Sequence, residues 1–192
     1  MVNYLCVSQI VGSPRFPHVS QLMLDGPWKN VELIESIASL VCLSNLVTLV
    51  RLERTPTVIF QALMSRLTNL QALRLTKYVL DALDAAKFQH LSCLDSLEIV
   101  QLDDADAYHP YVNVEPFCTM FPRVKHLDIP IDHLDSCQYV LDRLKSHLIS
   151  VIFRFLVDDD DEDENSLVQW AEDMPDNHQY RVHDGDIYLW LR

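Results

Sequence analysis

The residues best suited to chemistry are His126, Asp128, Asp132 and His133, which stand close together near the end of a strand-like segment and the start of a helical one. As zinc ligands they lack the H-E-x-x-H or paired C-x-x-C spacing that turns donors toward one ion, and a surface histidine beside a carboxylate is the simpler reading. Cys6, Cys42, Cys93, Cys118 and Cys137 form no C-x-x-C pair, and no His and Asn partners can be placed beside any of them. They are odd in number, widely spaced and set among apolar residues, which predicts buried free thiols in a reducing compartment. Gly12, Gly26 and Gly185 are the only glycines, so the chain carries no G-x-G-x-x-G or Walker loop and no G-x-S-x-G nucleophile turn. The run Asp158 to Glu164 has neither the glycine nor the correctly spaced glutamate of a calcium loop and reads as a solvated acidic loop. The expectation is a non-enzymatic protein with no catalytic residue, cofactor or metal.

Charge narrows the partners further. The chain has 192 residues, 49% of them hydrophobic, which is enough for one folded unit with a sizeable core. Its formal net charge of −13 repels phosphate backbones and anionic lipid, so neither nucleic acid nor a membrane is expected as partner. The first residues carry no signal-peptide pattern, and no window holds 18 uninterrupted apolar residues. A cytoplasmic or nuclear location is expected.

The elements that would position these residues come from a repeat. Phe16-Pro-His-Val19, Leu43-Ser-Asn-Leu46, Leu67-Thr-Asn-Leu70, Leu91-Ser-Cys-Leu94 and Phe121-Pro-Arg-Val124 are versions of one phrase. Apolar triplets follow in L-x-x-L-x-L spacing: Val19/Leu22/Leu24, Leu70/Leu73/Leu75, Leu94/Leu97/Ile99, Val124/Leu127/Ile129 and, in a sixth copy opening at Lys145, Leu148/Val151/Phe153. The starts at 16, 43, 67, 91, 121 and 145 lie 27, 24, 24, 30 and 24 residues apart. In the second copy Leu46 and Leu49 hold register but Arg51 takes the last apolar slot, whereas Val47/Val50/Leu52 restores it with one inserted residue. Helical spacing marks Asn30 to Val41, Val58 to Leu67, Val79 to Leu91, Val114 to Phe121 and Leu134 to Leu144. Strand then helix, repeated, predicts an α/β solenoid in which neighbouring units stack into one curved core.

Three regions follow from this reading: residues 1–15 as a partial repeat or cap, 16–157 as the repeats, and 158–192 as the acidic loop with a C-terminal cap. The cap is expected to be a short helix around Leu167 to Ala171, begun by Asn165 or Ser166, and a hairpin turning at Asp184-Gly185. Trp170, Tyr180, Tyr188 and Trp190 are large enough to cover the open end of the core.

The phrase F-P-x-V-x-x-L-x-L and the Trp-rich end resemble the leucine-rich-repeat region of F-box proteins, over residues 16 to 156. The resemblance implies a leucine-rich-repeat solenoid that recognises a substrate protein, while a separate F-box docks onto a cullin-type ubiquitin ligase. No F-box is found in the sequence, so that complex is implied only if a longer form carries one. The family's strand-ending asparagine is also replaced, by Pro27, Arg54, Tyr78, Leu102 and Asp132, which implies an irregular horseshoe.

In such a strand the residues between and before the last two apolar positions face away from the core. They are Gln21, Met23, Thr48 or Arg51, Ala72, Arg74, Ser96, Glu98, His126, Asp128, Ser150 and Ile152, with basic residues preceding acidic ones. Met23, Arg51, Arg74, Glu98, His126 and Asp128 are the expected partner-binding residues. The expected function is protein–protein interaction, as the substrate-recognition part of an F-box-type receptor. The alternative is a truncated structural or regulatory remnant with no partner of its own.

Overall fold

The computed structural model describes residues 4–7, 16, 18–24, 32–52, 57–76, 97–103, 112–155, 164–174 and 178–191. The predicted helix Val79 to Leu91 and residues 158–163 of the acidic run lie outside the described residues. The strands are β1 (Tyr4–Val7), β2 (Gln21–Leu24), β3 (Thr48–Leu52), β4 (Ala72–Thr76), β5 (Ile99–Asp103), β6 (His126–Ile131), β7 (Ser150–Phe155), β8 (His178–His183) and β9 (Asp186–Leu191). The helices are α1 (Glu32–Leu40), α2 (Thr57–Met64), α3 (Val114–Met120), α4 (Leu134–Leu144) and α5 (Glu164–Glu172).

Among the described residues, nine strands form one open mixed sheet in the order β1-β2-β3-β4-β5-β6-β7-β9-β8. The first seven are parallel and follow chain order, and β9 runs antiparallel to both of its neighbours. Burial alternates along β2, β4 and β7 and over the first half of β6, so one face of the sheet is in the core and the other is open. Leu22 and Leu24, Leu73 and Leu75, Leu127 and Ile129, and Val151 and Phe153 all belong to a single buried cluster that runs the length of the sheet.

A hydrogen-bond staircase fixes the register. The Ser20 carbonyl accepts from Val47 N and Thr48 N at 2.8 and 3.0 Å; Val47 O accepts from Gln71 and Ala72, and Gln71 O from Glu98 and Ile99. Glu98 O then takes Lys125 and His126, and Lys125 O takes Ile149 and Ser150. Each carbonyl uses both lone pairs on two consecutive N–H groups of the next strand, which leaves no freedom to slide.

The step from Gln71 to Glu98 corrects the fourth copy. Its core triplet is Leu97/Val100/Leu102, all at most 2% exposed, while Ile99 is 44% exposed. Arg74 pairs with Gln101 and Leu75 with Leu102, which sets this copy three residues later than the phrase Leu91-Ser-Cys-Leu94 implies. The staircase carbonyls at 20, 47, 71, 98, 125 and 149 lie 27, 24, 27, 27 and 24 residues apart, which removes the 30-residue interval. Leu102 is therefore a core position of β5, and not the turn position that stood in for the asparagine.

In the second copy both sequence registers are partly right. Leu46 and Leu49 are fully buried, with Leu22 opposite Leu49, and then a one-residue bulge sets Leu24 opposite Leu52. The extra residue is absorbed within the strand, as bulges do. Asn69 supplies one inter-turn bond, its Nδ2 donating to Ser44 O at 2.7 Å, from the start of the strand and not from its end.

Helix α4 shows how the outer layer attaches. Cys137, Val140, Leu141 and Leu144 make a buried stripe at helical spacing, Asp135 sits in the first turn and Arg143 in the last, where each charge opposes the helix dipole. Asp132 Oδ1 accepts from His133 N and Ser136 Oγ at its entry. Helix α3 packs beside it, with the Phe117 and Phe121 rings 5.0 Å apart.

At the C-terminal end, α5 begins at Glu164, ahead of the expected caps Asn165 and Ser166. The hairpin turns at Asp184 and Gly185 with φ of 52° and 78°, the pair of left-handed residues that a two-residue type I′ turn needs. Leu167, Ala171, Ile187 and Leu189 are buried there, and Trp170 meets Phe153 edge-on at 6.4 Å. Tyr180, Tyr188 and Trp190 do not cover the core as expected. Trp190 is 46% exposed, because it alternates with Leu189 and so stands on the other face of β9.

Of the three cysteines whose side chains are described, Cys118 and Cys137 are buried free thiols, but Cys42 is exposed, contrary to the expectation of burial. Its Sγ lies 3.2 Å from Ser44 Oγ. Burial pushes the Cys118 thiol up to about 11, with nearby Arg143 acting the other way. Since the thiolate is the nucleophile, iodoacetamide at pH 8 should label Cys42 in the native chain and reach Cys118 and Cys137 only in urea, as read by site-resolved mass spectrometry. Native labelling of Cys118 at the rate of Cys42 would contradict this packing.

The corrected register is testable by urea unfolding. Leu73→Ala and Leu102→Ala should each cost about 2–5 kcal/mol, from lost transfer energy and an incompletely closed cavity. Ile99→Thr should stay within about 0.5 kcal/mol. An Ile99 cost equal to that of Leu102 would restore the earlier register.

Candidate functional site: the open face of the sheet

With one face of the sheet buried, the side chains on the other are aligned into rows by strand register. One row runs Gln21, Thr48, Ala72, Ile99, His126, Ser150, Trp190 and Gln179. A second contains Met23 and Val50, then Arg74, Gln101, Asp128, Ile152, Tyr188 and Arg181. Arg154, Asp186 and His183 continue a third.

The expected binding residues distribute unevenly over this surface. Met23, Arg74, His126 and Asp128 lie in the rows, half-buried. Arg51 lies in β3 at the bulge, and its side chain is outside the described ones. Glu98 is a correction: it precedes β5, pairs with Lys125 and carries a staircase carbonyl, so the face positions of the fourth copy belong to Ile99 and Gln101. Ser96 lies outside the described residues. The reason is the three-residue shift of register, which exchanges a carboxylate for an apolar and an amide side chain.

Sequence reasoning missed Arg154 altogether. It reaches from β7 across β6, where its Nε donates to Asp128 Oδ1 at 2.7 Å, and on to β5, where its Nη2 donates to the Leu102 carbonyl. Both charged side chains are about four-fifths covered, at 21% and 20% exposure, so water screens this pair less than the half-exposed Glu98 and Lys125. The guanidinium fork ties three strands on the open face, where the repeat pattern gives no apolar contact to do so. No signal in the L-x-x-L-x-L pattern marks this residue, since the pairing depends on strands 26 and 52 residues away in the chain.

His126, Asp128 and Asp132, whose spacing did not suit a zinc site, separate into different tasks. His126 Nδ1 lies 2.8 Å from Ser150 Oγ, Asp128 holds Arg154, and Asp132 accepts bonds at the start of α4. Among the described residues, no group of three or more His, Cys, Asp or Glu side chains gathers as a metal site would.

The face also departs from the charge of the whole chain. Its described cations are Arg74, Arg154 and Arg181 and its described carboxylates Asp128 and Asp186, so these side chains carry none of the acidic excess that gives the whole chain −13. Arg74 of β4 precedes Asp128 of β6 as expected, but Arg154 of β7 and Arg181 of β8 follow it, so the expected gradient from basic to acidic does not continue along the sheet. Ile99 and Trp190, 44% and 46% exposed, belong to the same row.

Replacing Arg154 by Met keeps the stem and removes the fork, leaving Asp128 and the Leu102 carbonyl without this donor. Urea unfolding should show a loss of about 1–3 kcal/mol, partly recovered when Asp128→Asn is added. Simple additivity of the two substitutions would show that the pair is not coupled. No family model, no curated protein and no solved structure matches the chain.

Proposed function

We propose that this chain is a leucine-rich-repeat solenoid, a curved horseshoe of about six strand-helix repeats, whose open sheet face binds another protein. The observation that carries the reading is the composition of that face: its described side chains are nearly balanced in charge on a chain of −13, with Ile99 and Trp190 exposed in one row. Apolar and aromatic side chains left in water lose little on being covered, and aromatic anchors are enriched where proteins bind. The in-register parallel strands and the staircase of shared carbonyls support the solenoid, since each unit repeats the same bond to the next. No helix among the described residues is long and apolar enough to cross a membrane.

The F-box resemblance makes this face the substrate-recognition surface of a ubiquitin-ligase receptor. Coupling to a cullin-type complex follows only if a longer form carries an F-box.

The test is capture from the protein's own cells with three baits: the wild-type chain, Ile99→Asp with Trp190→Ser, and Arg66→Glu, which alters an exposed site beside α2. Quantitative mass spectrometry should show partners reduced by roughly tenfold or more on the open-face variant, the scale of losing a binding anchor. The Arg66 variant should retain them. Equal capture by all three baits would move the binding surface off this face, and no capture by the wild type would favour the remnant without a partner.

A further inference from the structure

The last strand of the sheet offers a second surface, and its geometry specifies what fits. β8 forms one end of the sheet, and among the described residues no strand pairs with its outer side. A two-residue turn closes the β8–β9 hairpin, so His183 and Asp186 form a hydrogen-bonded pair, as do Arg181 with Tyr188 and Gln179 with Trp190. The alternation of an antiparallel ladder then turns the N–H and C=O groups of Tyr180 and Val182 outward. An extended strand satisfies such groups at the spacing they already have.

The side chains define the sequence of that strand. Arg181 and Gln179 stand on the open-face side, while Tyr180 and Val182 stand on the helix side, where the Tyr180 hydroxyl donates to Glu172 at 3.1 Å. Tyr180 is 36% exposed. β8 reads His-Gln-Tyr-Arg-Val-His and holds no carboxylate, although the chain as a whole is strongly acidic. A strand added antiparallel would set one residue directly opposite Arg181, in a close non-hydrogen-bonded pair, with its two neighbours opposite Val182 and Tyr180. We infer that the outer edge of β8 docks an extended segment of a partner protein bearing a carboxylate between two apolar residues. At physiological salt a charge is felt over only about 8 Å, so a residue seated against Arg181 meets that cation first, while Glu172 lies on the helix side beside Tyr180 and Asp186 opposite His183 at the turn. A second copy fits poorly: pairing centred on Arg181 would place two guanidinium groups opposite each other, between two bodies of charge −13.

The inference goes beyond the open-face reading and is tested apart from it. The full chain, labelled with 15N, is titrated with the capped peptide acetyl-Thr-Val-Glu-Val-Thr-amide. Saturable shifts are expected at the amides of Tyr180 and Val182. Val182→Pro removes an outward N–H without touching the pairs to β9 and should abolish binding; if that variant fails to fold, a peptide N-methylated at one valine makes the same test from the other side. Arg181→Glu should weaken the peptide by about three- to tenfold, the scale of an exposed ion pair turned to repulsion. Exchange of the peptide's glutamate for lysine should restore binding to that variant and weaken it to the wild type. Absence of saturable shifts, shifts confined to other strands, undiminished binding to the proline variant, or indifference to the charge exchange would each overturn the inference. Ile99→Asp with Trp190→Ser should bind this peptide as the wild type does, so failure at the edge and failure of the open face are told apart.

Discussion

The structure depends on one repeated arrangement, a backbone carbonyl that accepts from two consecutive N–H groups on the following strand. Ser20, Val47, Gln71, Glu98 and Lys125 each do this, and Ile149 passes a single bond to Leu191 of the closing hairpin. A net gain of about 0.5–1.5 kcal/mol for each hydrogen bond is small, but the cost of leaving buried backbone groups unpaired is larger. The effect is therefore chiefly on specificity. A slip of one residue in any strand would break both bonds and turn its core side chains outward together. The same arrangement recurs whether the next carbonyl is 24 or 27 residues on, so a difference of three residues between units leaves the sheet in phase.

That constraint explains what was legible in the sequence. The triplets of copies one, three, five and six needed only their own apolar residues, and Asp184-Gly185 announced its turn because both positions need left-handed backbone. The fourth copy misled because Leu97 belongs to two acceptable patterns, Leu94/Leu97/Ile99 and Leu97/Val100/Leu102. Local hydrophobicity does not separate them; the bond from Gln71 O to Glu98 N and Ile99 N does, and it is non-local. The 30-residue interval was the one visible sign of error. In the second copy the ambiguity was real, since the strand holds Leu49 in one phase and Leu52 in the other around a bulge.

The open face was less legible than the core for a related reason. Its positions follow from register alone, so a shift of three residues exchanged Glu98 for Ile99 and Gln101. Its strongest described interaction, from Arg154 to Asp128 and Leu102, joins residues distant in the chain and obeys no repeat. The cysteines show the complementary case: apolar neighbours in sequence correctly implied burial for Cys118 and Cys137 but not for Cys42, which sits at the entry to the short 3-10 turn Leu43–Asn45 and is exposed.

The closing hairpin joins these themes. A parallel stack of strands has to end, and its last core side chains, Val151 and Phe153, need apolar cover. The chain leaves β7, passes through α5 to β8, and a two-residue turn then returns it as β9, which lies antiparallel beside β7 and provides that cover. Alternation then has a second consequence: if Ile187 and Leu189 of β9 close the core, Asp186, Tyr188 and Trp190 necessarily join the rows of the open face. Covering the core with Tyr188 and Trp190 would have required the opposite phase of β9, with Ile187 and Leu189 outside. The observed phase places Trp190 beside Ser150 and one strand beyond His126, so the element that ends the fold also supplies the largest exposed side chain of its open face.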